Sequence, residues 1–161
     1  ALLSFLLVLF SSSALNAQTS LPAVQVYTLD GKAVDIREYA QNGKPTILSF
    51  WATWCAPCKK ELDAIVEVYD RWQADYDAEL LAISIDEQRA LANVPVLVES
   101  SGWPFTILAD RDQQLLTALN VQAIPHTFLL DKKGNIVYNH SGYQSGDEKL
   151  LAERLEAVAR K

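Results

Sequence analysis

The chain has 161 residues, of which 50% are hydrophobic and 21% are charged, and this is the composition of one ordinary globular domain. The formal net charge is −6 and the sequence has no basic cluster, which argues against nucleic acid or an anionic membrane as a partner. The two cysteines lie three positions apart, which excludes a framework of several disulfides and a four-cysteine zinc site.

The first seventeen residues have the pattern of a secretory signal. An uncharged apolar segment, residues 1–10, precedes three serines, and a run of small residues ends at Ala17. The apolar segment is too short to cross a bilayer comfortably. We predict a signal peptide over residues 1–17 that is truncated at its start and cleaved after Ala17, with an uncleaved N-terminal anchor as the alternative. Both outcomes predict a periplasmic or other extracytoplasmic location.

Strand and helix patterns alternate through the first half of the remaining chain. We predict a strand over residues 24–29, a short helix over 35–41, and buried strands over 46–51 and 79–85. A long helix is predicted between the two buried strands, because apolar residues recur there at helical spacing: Leu62, Ile65, Val66, Tyr69 and Trp72. Extending this face back by four residues predicts that Cys58 points toward the core and that Cys55 lies at the helix start.

The alternation continues through the second half. Residues 87–100 are helical in composition, but Pro95 predicts a break near Asn93. A strand over 105–109, a helix near Leu115, and a hairpin with strands over 127–130 and 136–139 follow. Ser145 and Glu148 form a capping-box pattern that predicts the start of a last helix. Together the elements predict an α/β fold with a largely parallel sheet and one antiparallel hairpin.

The two cysteines stand between a buried strand and a helix, where several chemistries compete. Zinc needs two more ligands, and His126 and His140 are too far apart in sequence for a finger-type site. Haem attachment needs a histidine directly after the second cysteine, where this chain has Lys59. A structural disulfide stays open, although so small a loop restricts the unfolded chain little. The pattern favours a redox-active dithiol.

A helix N-terminus has physical properties that suit this chemistry. Its unpaired N–H groups and partial positive charge favour a thiolate, so we expect a lowered pKa at Cys55. Cys55 then attacks a substrate disulfide, and the shielded Cys58 resolves the mixed disulfide. The redox centre is the disulfide of the protein itself, and we therefore expect no further cofactor and no metal.

Residues 50–61, FWATWCAPCKKE, resemble the active-site segment of thioredoxin-like proteins, and more narrowly the TlpA/ResA branch of secreted thiol–disulfide oxidoreductases. Ile124 and Pro125 before a later strand, and Gly142 with Tyr143 before the last helix, extend the resemblance over residues 24–161. The resemblance implies a thioredoxin fold over residues 18–161, with a central mixed sheet flanked by helices. Residues 87–110 match an extra helix and strand inserted after the first strand–helix–strand unit.

The same resemblance implies roles for particular residues. Pro125 is expected in cis beside the cysteines, and its loop, with Ile124, is expected to offer backbone groups to a substrate peptide. Thioredoxin has a buried Asp where this chain has Ser49, and serine cannot serve as that base. The TlpA/ResA branch instead places a Glu three residues after the second cysteine, and Glu61 matches it.

Three further residues are candidates for the site. Trp54, beside Cys55, is expected to shape the substrate surface together with Pro57. His126 directly follows Pro125 and would tune the thiolate chemistry if it titrates near the dithiol. The alternative for His126 is a partly buried strand residue without a role in the reaction.

The residues between the cysteines bear on the direction of electron flow. Ala56 and Pro57 carry no group that favours the thiolate, so we expect a reductant of protein disulfides. The resemblance implies re-reduction by a membrane thiol donor and a role in cytochrome c maturation. We expect a monomer.

Other classes of function remain as alternatives. One is a copper or other metal chaperone that uses Cys55, Cys58 and His126 as ligands. Another is a peroxidase of the peroxiredoxin type, which has a related fold. The third is a binding module in which the disulfide is static.

Overall fold

The computed structural model describes residues 20–160, so the predicted signal peptide and its cleavage site lie outside the described part. Seven strands are described: β1 (Gln25–Thr28), β2 (Ala33–Asp35), β3 (Thr46–Trp51), β4 (Glu79–Ser84), β5 (Thr106–Ala109), β6 (His126–Leu130) and β7 (Ile136–Ser141). Five helices are described: α1 (Ile36–Ala40), α2 (Ala56–Tyr76), α3 (Asn93–Ser101), α4 (Gln114–Ala118) and α5 (Asp147–Ala159). Within residues 20–160, no helix is both long and apolar enough to cross a membrane.

All seven strands form one mixed sheet in the order β2-β1-β5-β4-β3-β6-β7. β4 runs parallel to both β3 and β5, whereas the other neighbouring strands are antiparallel. All six residues of β3 are buried, as expected for a central strand covered on both faces. The predicted α/β fold with a central mixed sheet and flanking helices is confirmed.

The insertion implied by the resemblance is also present. The unit β3-α2-β4 is followed by α3 and β5, and β5 joins the sheet between β4 and β1. The chain then continues through α4 to the hairpin of β6 and β7 and to α5. The insertion therefore widens the sheet on the side of β4 away from β3 and β6.

Helix α2 carries the second half of the cysteine pair into the core. Cys58 and four apolar residues of the predicted face are buried: Leu62, Ile65, Tyr69 and Trp72. Val66, at the edge of that face, is only partly buried. Pro57 lies in the first turn, where its missing N–H breaks no intrahelical hydrogen bond. The predicted position of Cys58, facing the core from one turn into the helix, is confirmed.

The predicted capping box at the last helix is wrong. Gly146, with φ of 106°, stands at the N-cap position, and no side chain caps the helix there. The acidic residues act instead on the preceding turn: Asp147 accepts from the N–H of Gln144, and Glu148 accepts from the N–H of Gly146. The helix therefore begins one residue later than the Ser145 cap predicts, because the left-handed glycine sets the entry of the chain.

Two further elements differ from the sequence prediction. Residues 88–92 form turns rather than helix, and α3 begins at Asn93, so that Pro95 lies in its first turn. Proline is tolerated in a first turn, which explains why the predicted break near Asn93 is a helix start. The edge strand β2 was not predicted, because three residues are too few to show an alternating pattern.

Candidate active site

Cys55 and Cys58 form a disulfide at the N-terminus of α2, with their Cα atoms 5.3 Å apart. Cys55 is the N-cap residue, and its Sγ accepts a hydrogen bond from the backbone N–H of Cys58 across 3.3 Å. Cys55 is 5% exposed, whereas Cys58 has no exposed surface. The first sulfur therefore lies where the N–H groups and dipole of a long helix stabilise a thiolate, and the second lies in the core.

The segment that leads from β3 to Cys55 is held by a buried carboxylate. Asp86, which is fully buried after β4, accepts hydrogen bonds from the backbone N–H and the hydroxyl of Thr53 at 2.9 and 2.6 Å. The hydroxyl of Ser84 donates to the same carboxylate at 2.8 Å. From the helix side, Lys59 Nζ donates to the carbonyl of Thr53 at 3.0 Å. These contacts fix the backbone just before the first cysteine.

Glu61 lies one helical turn beyond Cys58 and is only 5% exposed. Ser49 Oγ donates to its Oε2 at 3.0 Å, and Thr127 Oγ1 donates to its Oε1 at 2.9 Å. Burial raises the pKa of Glu61 above its usual value, and the two hydroxyl hydrogen bonds offset part of that effect. A buried carboxyl group with a raised pKa, one helical turn from Cys58, is a stronger base than an exposed carboxylate and has the chemistry of a proton acceptor and donor.

Trp54, the residue before Cys55, lines an open groove. Trp54 is 67% exposed and shares the groove with Ile124, and the rest of its wall is formed by Gln122 and four apolar residues: Ile85, Leu116, Val121 and Ala123. Pro57 is exposed in the first turn of α2. The structure therefore places Trp54 and Ile124 on one surface, next to the first cysteine.

The Ile124–Pro125 peptide bond is cis, as the resemblance implied. Pro125 is buried, and its carbonyl accepts a hydrogen bond of 2.8 Å from the N–H of Gly142. This bond ties the proline loop to the segment between β7 and α5. It also connects two of the sequence features on which the resemblance depends.

His126 begins β6, with its ring 4.6 Å from the ring of Phe128. Burial lowers the pKa of His126. Asn139 is near enough to offset part of this effect, although neither ring nitrogen reaches hydrogen-bond geometry with a described group. The structure thus places His126 in the half-buried strand position of the alternative interpretation, and a role in tuning stays a prediction.

Sequence reasoning missed several residues that the structure brings to this region. Asp86 follows β4, Thr127 lies in β6 and Thr53 follows β3, and in the sequence each stands next to an apolar run. The one available signal for Asp86 was its position directly after a predicted buried strand. Within residues 20–160, no three His, Cys, Asp or Glu side chains gather as candidate metal ligands.

Comparison with known proteins places this geometry in a family. A model of the AhpC/TSA family matches residues 17–139. The thiol-disulfide oxidoreductase ResA of Geobacillus thermodenitrificans is 31% identical over 146 residues, which cover 91% of this chain and 80% of the relative. The chain belongs to the AhpC/TSA family and to the ResA-like thiol–disulfide oxidoreductases.

Two further similar proteins support placing the chain in this family. The ResA of Geobacillus kaustophilus is 33% identical over the same shares of both chains, 91% and 80%. The solution structure of an uncharacterized thioredoxin-like protein from Porphyromonas gingivalis has a TM-score of 0.78 and 41% identity, over 89% of this chain and 93% of that one. The predicted resemblance, the thioredoxin-like fold and the enzyme class of thiol–disulfide oxidoreductase are therefore confirmed.

Proposed function

We propose that this ResA-like protein reduces disulfides of other proteins outside the cytoplasm, through the dithiol form of Cys55 and Cys58. The observation that carries the proposal is the position of Cys55 Sγ at the N-cap of α2, with Cys58 fully buried one turn further on. This arrangement separates an attacking sulfur from a resolving sulfur. A static disulfide needs no such separation.

The reaction begins with both cysteines reduced. The Cys55 thiolate attacks one sulfur of the substrate disulfide, a mixed disulfide forms, and the other substrate sulfur leaves as a thiolate. Cys58 then loses its proton and attacks Cys55 Sγ, and the second substrate sulfur leaves. Two electrons pass from the protein to the substrate, and the product on the protein is the Cys55–Cys58 disulfide that the structure contains.

Glu61 is proposed as the base that takes the proton from Cys58. The two residues are neighbours on one face of α2, and both are buried, so that water cannot readily serve as the base. Hydrogen bonds from Ser49 and Thr127 hold the carboxylate in one orientation. The raised pKa of Glu61 brings its basicity closer to that of a thiolate than an exposed carboxylate would be.

Trp54, Pro57, Ile124 and Pro125 are proposed to bind the substrate chain. Trp54, the residue before Cys55, lines the mostly apolar groove together with Ile124, and Pro57 is exposed in the first turn of α2. An extended substrate segment would place its disulfide over Cys55 while its neighbouring side chains contact the groove. Backbone pairing with the Ile124–Pro125 loop would add a strand-like contact.

The direction of electron flow is proposed from the residues between the cysteines. The side chains of Ala56 and Pro57 are exposed and offer no hydrogen bond to a thiolate, so only the helix N-terminus stabilises the reduced form. A reductant outside the cytoplasm needs a membrane thiol donor to regenerate it. We further propose a monomer that serves cytochrome c maturation, a setting supported by the resemblance and by the predicted signal.

The reduction potential tests this proposal. The chain is equilibrated in thiol buffers of defined potential, and the reduced fraction is measured by alkylation and mass spectrometry. A potential near that of thioredoxin, about −270 mV, is the expected result, and a value above about −180 mV would show an oxidase or isomerase instead. The variant with Cys55→Ser and Cys58→Ser is the control and should show no couple.

A further inference from the structure

A small cavity borders Glu61 where α2 and α5 pack on β6 and β7. Its volume is about 20 Å³, and Glu61, Thr127, His140 and Asp147 are among the residues that line it. One buried water molecule needs roughly 10–15 Å³, so the cavity has room for one. The proposed function uses Glu61 but assigns nothing to the other side of its carboxyl group.

The strand register brings His140 to this cavity. Thr127 of β6 and His140 of β7 are directly paired in the antiparallel ladder, so their side chains lie on the same face of the sheet. Thr127 Oγ1 is itself 2.9 Å from Glu61 Oε1. His140 is therefore the cross-strand neighbour of Thr127, the residue that bonds directly to the buried carboxyl group of Glu61.

His140 also reaches the outside of the molecule. Its Nε2 lies 3.2 Å from Asp147 Oδ2, and the two side chains are 35% and 28% exposed. Glu61, by contrast, is 5% exposed. The pair formed by His140 and Asp147 thus has one side on the cavity and one side toward solvent.

The other ionisable groups around Glu61 are less suited to carry a proton. Cys58 is the neighbour of Glu61 on its own helix. The other ionisable groups that face Glu61 come from β7, from the following loop and from α5: Tyr138, His140, Tyr143, Asp147 and Glu148. Arg154 of α5 packs over the ring of Tyr138. Burial raises the pKa of Tyr143, which keeps it protonated at neutral pH. Histidine is the one side-chain type among them that ordinarily changes charge near neutral pH.

We propose that His140, held by Asp147, carries protons between solvent and Glu61 across this cavity; the inference rests on the proposed function and extends it. When Cys58 attacks Cys55 Sγ, its thiol proton passes to the Glu61 carboxylate, and the departing substrate sulfur takes the bonding electron pair and a proton from solvent. As that proton arrives, Glu61 passes a proton on through cavity water to His140, which releases it to bulk water, so the transfer to His140 is part of the resolving step itself. The substrate disulfide is the only oxidant.

The test follows the two sulfurs separately. The reduced full chain is mixed with an equimolar amount of 5,5′-dithiobis(2-nitrobenzoate) in a stopped-flow instrument at several pH values around neutrality. The first equivalent of thionitrobenzoate released reports attack by Cys55, and the second reports resolution by Cys58. His140→Gln keeps a hydrogen-bonding group near Asp147 but cannot accept a proton.

We expect His140→Gln to slow the second release by roughly tenfold and to leave the first unchanged, whereas Glu61→Gln slows the second by about 100-fold or more. The acid limb of the pH profile should move to higher pH in His140→Gln, because protonated His140 lowers the pKa of Glu61. The double variant should be no slower than Glu61→Gln, because both residues act on the same proton. Asp147→Asn should slow the second release by less than His140→Gln does.

Glu148→Gln is the matched control, since Glu148 lines the same cavity but bonds to Tyr143 rather than to His140. It should leave both releases unchanged. The role of His140 is wrong if Glu61→Gln slows the second release while His140→Gln matches the wild type. It is also wrong if the double variant is slower than Glu61→Gln alone. If the wild type releases no second equivalent, the proposed function itself fails.

Discussion

The hydroxyl of Ser49 donates a 3.0 Å hydrogen bond to Glu61 Oε2 and so joins the central strand β3 to the second turn of α2. Thr127 holds the other carboxylate oxygen from β6, so both oxygens of a nearly inaccessible group are satisfied. Serine cannot act as a base, but it can orient one. The departure from thioredoxin at position 49 is therefore accompanied by a carboxylate that enters from the helix.

The burial of Glu61 predicts a pH-dependent difference in stability between the wild type and Glu61→Gln. A carboxyl group with a raised pKa in the folded state binds more protons folded than unfolded, so its contribution to stability falls as pH rises from its usual pKa through the raised value. Glutamine does not ionise, so the variant does not lose stability in this way as pH rises. The variant should thus gain stability relative to the wild type across that window, by about 1.4 kcal/mol for each unit of raised pKa.

Urea unfolding of the oxidised chain at a series of pH values measures this difference. Glu153→Gln is the control, because it removes an exposed carboxylate from the helix α5 that covers the cavity and leaves the buried one in place. A Glu61→Gln difference that stays constant, or that shrinks as pH rises, would contradict the raised pKa.

The unequal exposure of the two sulfurs predicts which variant accumulates a mixed disulfide. Cys58→Ser leaves Cys55 at the N-cap of α2 but removes the fully buried sulfur that would release the substrate. Incubation with a disulfide-bonded protein substrate should give a covalent complex for Cys58→Ser and none for Cys55→Ser. Mass spectrometry without reductant detects it, and equal trapping by both variants would show that the attacking sulfur is not fixed.

Spacing along the chain predicted the elements that build this site, since local patterns set them. The helical recurrence of Leu62 and Ile65 placed Cys58 on the buried face, and the unbroken apolar run of β3 marked the central strand. The bond between Thr127 and Glu61 joins residues 66 positions apart, and no local pattern could predict it. Contacts of this kind depend on strand order and register, which follow from the packing of the whole sheet.

The start of α5 shows why a local pattern can mislead. Ser145 and Glu148 have the spacing of a capping box, but Gly146 between them adopts a left-handed backbone that serine-capped helices do not have. The two acidic residues then bond to the preceding turn. The wrong prediction concerned the residues that border the cavity, where Asp147 is instead available to His140.

The exposed ring of Trp54 predicts a loss of substrate affinity when it is removed. Trp54→Ala should raise KM for a disulfide-bonded protein substrate by roughly tenfold, equivalent to a contact of about 1.4 kcal/mol, with kcat unchanged. Because the ring is 67% exposed, the variant should keep its stability. Val96→Ala, at 68% exposure on α3 and outside the groove, is the matched control and should keep the wild-type KM. A Trp54→Ala KM equal to that of the control would remove the groove from the substrate-binding surface.

The buried Asp86 predicts that the segment before Cys55 is stabilised from β4. Asp86→Asn replaces an acceptor oxygen with an amide group that faces the Thr53 and Ser84 donors, which should lower the free energy of unfolding by about 2–3 kcal/mol. Thr53→Val removes one hydroxyl bond and should cost about 1 kcal/mol. Attack of Cys55 on a disulfide should slow in both variants, because the N-cap sulfur is less firmly held.

Urea unfolding and the first thionitrobenzoate release measure the two effects on the same samples. Glu87→Gln changes the neighbouring exposed carboxylate and should leave both unchanged. If Asp86→Asn unfolds at the wild-type urea concentration, the three hydrogen bonds to Asp86 do not stabilise the fold. If stability falls while attack by Cys55 keeps its rate, Asp86 supports the core but does not position the cysteine.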